Sequence, residues 1–145
     1  MILDPAVWGP HYWFVLYTIA VSYPINVNTV TKRKYYDFIQ NLPLFLPVED
    51  IGKLFSEFLD RYPVTPYLDS RESFIKWVHF IHNKINVYLG KREITYQQAM
   101  KTYYEHYIPK TVKRETDRRM RERYIFFAVI VALIILIIIL MYNIK

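Results

Sequence analysis

From Ile125 to Met141 the chain reads IFFAVIVALIILIIILM, 17 consecutive positions without a polar side chain. As a helix that run is about 26 Å long, close to the hydrocarbon thickness of about 27 Å of an endoplasmic-reticulum-like bilayer. Tyr124 and Tyr142 bracket it, and amphipathic rings at both ends of an apolar run are the interfacial belt of a spanning helix. An element apolar on all sides needs wrapping that the remaining chain does not offer. The sequence therefore predicts a single transmembrane helix over residues 124–143, with 144–145 as a short tail. Asp4, Pro5 and Pro10 interrupt the opening residues, so no signal peptide is expected and the chain reads as tail-anchored.

The formal charge of +6 resolves into two parts. Residues 1–108 carry 11 Lys/Arg and 10 Asp/Glu, whereas residues 109–123 carry 7 and 3. Basicity concentrated directly before a membrane segment points to orientation and lipid headgroups, not to nucleic acid. Arg118, Arg119, Arg121 and Arg123 precede the span, and the positive-inside bias keeps the body on the cytosolic side. Glu115/Arg119, Asp117/Arg121 and Arg118/Glu122 stand at i,i+4 spacing, so residues 109–123 are expected to form a helical stalk that runs on into the membrane.

Ahead of the stalk, four segments show helical spacing and none a sustained period of two. The first, about 9–22, places Trp13, Leu16, Ile19 and Ala20 on one face. The second, about 30–41, turns Tyr35, Phe38, Ile39 and Leu42 inward. A third follows Pro47 with Ile51, Leu54, Phe55, Phe58, Leu59 and Tyr62 inward, and ends at Pro63. The fourth opens at Asp69, three residues before Glu72, as a capping box. It carries Phe74, Trp77, Val78, Ile81, Ile85 and Leu89 to Gly90. A short fifth helix starts at Thr95, with Gln98 at the box position, and stops at Pro109. The expected fold is all-α, a four-helix bundle plus a short fifth helix over residues 1–108.

The chain contains no cysteine and 3 glycines. Thiolate catalysis, disulfides and Cys-ligated metal are excluded, and no glycine-rich loop is available to cradle a nucleotide phosphate. His79, His82, Asn83 and Asn86 fall at i, i+3, i+4 and i+7, a polar stripe on an apolar helix. No third and fourth ligands accompany His79 and His82, which argues against zinc. Glu49 and Asp50 in the first turn of the third helix complement its dipole. Tyr35/Tyr36 and Tyr103/Tyr104 each put one ring inward and one outward, where it can serve an interface.

The opening WGPHYW (residues 8–13), the segment LPLFLP before the third helix, and Trp77 with HNKINVYLGK (residues 82–91) resemble the Erv/ALR family of FAD-dependent sulfhydryl oxidases, in the single-domain form of large DNA viruses. The resemblance covers about residues 8–107. It implies a four-helix bundle with a short fifth helix, FAD as cofactor, a homodimer, and a CxxC that oxidises substrate dithiols. Trp8, Trp13, Trp77, His82, Asn83, Asn86 and Lys91 match family positions, several of them at the adenine and phosphate end of FAD. Val48 and Ile51 stand where the family has its two cysteines, and Tyr17 where it has a histidine near the flavin.

An aliphatic side chain forms neither thiolate nor disulfide, so thiol oxidation is not expected here. The polar stripe on the fourth helix reads in two ways, as a retained FAD-adenine pocket or as a buried seam bonded to backbone. The resulting expectation is a non-catalytic structural protein of a large DNA virus, without cofactor. It is anchored in an internal or ER-derived membrane and ties the bilayer to capsid or minor capsid proteins. The alternatives are an FAD-binding flavoprotein without its own dithiol and a tail-anchored adaptor of a cellular membrane.

Overall fold

The structure, a computed structural model, describes residues 3–143; the expected tail, 144–145, lies outside them. Among the described residues the regular elements are all helical: α1 (Pro5–Val21), α2 (Thr29–Asn41), α3 (Glu49–Arg61), α4 (Arg71–Tyr88), α5 (Tyr96–Glu105) and α6 (Lys110–Asn143). Short 3₁₀ turns at Leu42–Phe45 and Thr65–Tyr67 lead into α3 and α4. The chain divides after Tyr103 into two compact units.

In the first unit, α1 begins four residues earlier than its apolar spacing indicates. Asp4 caps it by accepting from the Ala6 amide at 2.8 Å, and Pro5 brings a preset φ to the first helical position. Pro10 is accommodated inside the helix, as the expected span of about 9–22 requires. Helix α4 is capped by Ser70, whose hydroxyl receives the Ser73 amide at 3.1 Å. Asp69, the expected cap, pairs instead with Lys32 of α2, and that ion pair leaves the capping role to its neighbour. At α5 the expected reciprocal box is present: Thr95 N–H donates to Gln98 and Gln98 N–H to Thr95.

The core is formed by Leu16, Tyr17 and Ala20 of α1, Ile39 of α2, Leu54, Phe55 and Leu59 of α3, and Phe74, Trp77, Val78, Ile81 and Ile85 of α4. Two residues expected inside, Phe38 and Leu89, lie at the surface, 39% and 37% exposed. Leu89 has passed the end of α4, and the inward face of α2 is narrow enough to be filled by Ile39 with Tyr35 beside it. The connectors contribute core residues that no helical stripe marks. Tyr23, Val64 and Leu68 are fully or almost fully buried, and the Tyr23 hydroxyl donates to the Leu68 carbonyl at 2.6 Å.

The second unit is dominated by α6, 34 residues long, about 51 Å of continuous helix. Within it, Thr111–Tyr142 contains an 18-residue window of mean hydropathy 3.4, none of it buried. By length and composition this helix is a candidate membrane span. Of the three expected stalk pairs, Arg118–Glu122 closes, at 2.9 Å.

Candidate functional site

Helices α1 and α4 pack together and bring the polar stripe of α4 against the aromatic residues of α1. Trp13 and His82 stack face to face, ring centroids 4.1 Å apart and planes 17° from parallel. Tyr17, one turn further along α1, reaches His82 Nδ1 with its hydroxyl at 3.2 Å. Burial, and secondarily the nearby Tyr96, push the Tyr17 hydroxyl well above the usual phenol range. Burial first, then His79 and Lys91, pull His82 down to about 4. At neutral pH both groups are therefore uncharged, and the bond is assigned as Tyr17 O–H donating to Nδ1 with the ring proton on Nε2.

The rest of the stripe faces the connector after α4. The Asn83 carboxamide donates to the Ile94 carbonyl at 2.9 Å and accepts from the Ile94 amide at 3.0 Å, while His79 Nε2 lies 2.9 Å from the same carbonyl. Asn83 thus engages both the N–H and the C=O of one residue, a side chain standing in for a strand partner. Asn86 is buried, and its carbonyl receives the Lys91 amide at 2.8 Å. That closure is possible because Gly90 adopts φ 69°, a left-handed turn that favours glycine. Trp77 is buried, with its indole N–H on the Tyr62 carbonyl at 3.0 Å. Trp8 lies apart from this group, edge-on to Tyr12 at 5.2 Å and bonded to the Leu3 carbonyl. The Lys91 side chain is exposed. Of the seven matched residues, the structure thus joins Trp13 and His82 directly and carries Asn83 and Asn86 on the same stripe of α4; Trp77 is buried against Tyr62 and Phe74, Trp8 lies apart, and Lys91 is exposed.

At the N-terminus of α3, Val48 caps the helix with extended backbone and no side-chain bond, and Ile51 is buried in the first turn. Glu49 and Lys53 pair at 2.7 Å, and the hydrogen bond from Lys53 holds the Glu49 carboxyl below its ordinary range. Gly52 explains how the preceding 3₁₀ turn seats here: a Cβ at this position would lie 2.8 Å from the Pro43 carbonyl oxygen, inside contact distance. The Tyr12 hydroxyl fixes the far end of that turn through the Phe45 carbonyl at 2.7 Å. Sequence reasoning missed both Gly52 and the Tyr17–His82 bond. The only available signal was a lone glycine in the first turn of an otherwise well-formed helix.

Chemically, the seam offers hydrogen bonding but no redox couple. Among the described residues no buried side-chain nitrogen or oxygen lacks a partner, and no three His, Asp or Glu gather as a metal site. The Trp13 and His82 rings touch, so a flavin or adenine ring could enter between them only if they parted by a ring's thickness. Asn83 has both ends of its amide engaged by Ile94. In this arrangement the facing rings of Trp13 and His82 and the amide of Asn83 are occupied by contacts within the chain.

Comparisons with known proteins agree with the architecture. The chain is similar to a probable FAD-linked sulfhydryl oxidase of Acanthamoeba polyphaga mimivirus, 34% identical over 109 residues that cover 74% of this chain and 76% of that one. An FAD-linked sulfhydryl oxidase of African swine fever virus is 29% identical over 106 residues, 73% of this chain and 87% of its own. The solved FAD-binding domain of Erv1 from Saccharomyces cerevisiae superposes with a TM-score of 0.64 at 24% identity, covering 72% of this chain and 97% of that domain. The model of the Erv1 / Alr family matches residues 10–105, from within α1 to the end of α5. The chain belongs to the Erv1/Alr family.

Proposed function

We propose that this protein is a non-catalytic structural member of the family, a scaffold in a large DNA virus that ties an internal or ER-derived membrane to capsid or minor capsid proteins. The observation that carries the reading is the total absence of cysteine, with Val48 and Ile51 at the positions the family resemblance assigns to the dithiol. Electron transfer from a thiol begins with a thiolate, and none can form here. Viral relatives and the apolar run of α6 support the setting. In this reading residues 1–108 dock to protein, 109–123 form a basic stalk and 124–143 cross the bilayer between Tyr124 and Tyr142. The four arginines at 118, 119, 121 and 123 keep the bundle on the cytosolic, capsid-facing side. A second copy of the chain is a further partner, and no nucleic acid is involved.

The relatives named FAD-linked favour a second reading, a flavoprotein without its own dithiol. Purified full-length protein separates the two. Colourless, folded protein that takes up no added FAD and consumes no oxygen with dithiothreitol supports the scaffold. Yellow protein that releases FAD on denaturation supports the flavoprotein, and aerobic dithiol turnover overturns the non-catalytic reading. A fixed copy number in purified particles, in register with the capsid lattice, is the expected result for the virion role; absence from particles defeats it.

A further inference from the structure

The basic residues of the stalk are not equivalent. Arg118 is tied to Glu122 at 2.9 Å, and Arg121 shares its face of α6 with Asp117 and Tyr124. Arg119 and Arg123 form no ion pair among the described residues, and i,i+4 spacing places them one above the other on a single face. Together with Thr116, Met120, Glu122 and Phe126 they line a shallow, open groove; the comparable groove on the other face holds Arg121 but sets Asp117 beside it. Glu122 is the one acid in that groove, and its carboxylate is already held by Arg118. The Thr116 hydroxyl bonds back to the Val112 carbonyl at 2.7 Å and adds no charge. Phe126 lies three residues beyond Arg123, about 4.5 Å deeper along the helix axis, at the start of the apolar run.

A groove with two guanidiniums that close no ion pair above and an aromatic ring below matches an anionic phospholipid, phosphate above and acyl chain beneath. Guanidinium forks suit phosphate oxygens in pairs. We infer that Arg119 and Arg123 form a specific headgroup site that holds the phosphate of one anionic phospholipid. The acyl chains of that lipid run down past Phe126, and the other five Lys/Arg of residues 109–123 supply only diffuse attraction. The inference rests on the proposal that α6 spans a membrane.

Full-length protein is reconstituted into vesicles of phosphatidylcholine with a minority of phosphatidylglycerol. It is then extracted in mild detergent, and retained lipid is counted per chain by native mass spectrometry. One phosphatidylglycerol per chain is expected. Arg119→Gln/Arg123→Gln should weaken retention about thirtyfold, from the loss of two charge-assisted phosphate contacts. Arg114→Gln/Arg121→Gln, which removes the same formal charge from the other face, should leave retention within about twofold of wild type. Equal loss in both double variants overturns the site in favour of diffuse attraction. Retention that millimolar inorganic phosphate abolishes means the groove reads free phosphate, and overturns the lipid assignment. Failure of the wild type to insert into either pure phosphatidylcholine or the mixed vesicles is a different result: it removes the membrane reading itself.

Discussion

Helices α4 and α6 solve opposite problems. Within its 18 residues α4 buries Phe74, Ile75, Trp77, Val78, Ile81, Ile85 and Asn86, and the polar residues it draws inward are met by Tyr17 and the backbone of Ile94. Every described side chain of α6 from Thr111 to Tyr142 is exposed, the apolar run included. The lesson is about where complementarity comes from. A mixed helix is completed by its own chain, residue by residue. A uniformly apolar helix is completed by an environment, and any sufficiently apolar one will serve.

That contrast is easiest to break on the α4 side. Phe74 is fully buried, edge-on to Tyr23 at 5.3 Å and stacked on Trp77 at 6.2 Å. Phe74→Ala should cost the bundle about 3–5 kcal/mol, read as a lowered urea midpoint of the bundle transition in detergent. Insertion into vesicles should be unaffected. A loss below about 1 kcal/mol would mean that the α1–α4 core is loosely packed and the comparison ill-founded. On the α6 side, Leu133→Arg places a charge in the middle of the apolar run and should raise the insertion cost by about 3–4 kcal/mol. The measurement is carbonate-resistant association with microsomes. Here the expected pattern is reversed: membrane association falls and the urea midpoint of the bundle stays fixed.

How much of this could be read from the sequence follows the same division. The α3 stripe was legible because Ile51, Leu54, Phe55 and Leu59 recur at helical spacing and are buried, and α6 because nothing in 17 residues interrupts it. Periodicity could not reveal Tyr23, Val64 or Leu68, whose burial depends on connectors folding back over the bundle. Nor could it reveal Gly52, whose need arises from the approach of Pro43. At the candidate site, the stripe His79, His82, Asn83 and Asn86 was visible as spacing. Its partners were not, since Tyr17 lies 65 residues from His82 and Asn83 engages a backbone unit that carries no side-chain signature. Local spacing specifies which face turns inward; it does not specify what that face meets.

The smallest effect tests the Trp13–Tyr17–His82 contact itself. His82 is held neutral in the fold, down to about 4 from an ordinary value of 6.5, by burial first and by His79 and Lys91 second. The unfolded chain takes up a proton at His82 as pH falls through about 6.5, and the folded chain only near 4. The neutral-ring contribution to stability is therefore complete above about pH 6.5 and decreases as pH falls through that window, by about 2 kcal/mol at pH 5. Other groups titrate in the same range, so the diagnostic quantity is the difference between wild type and His82→Gln, whose side chain does not titrate. Urea midpoints of the two should diverge steadily in their pH dependence from about pH 6.5 to 4, with wild type the more acid-sensitive. Parallel curves would show that His82 is solvated and free to charge, and would dissolve the claim that α4 finds its complement within its own chain.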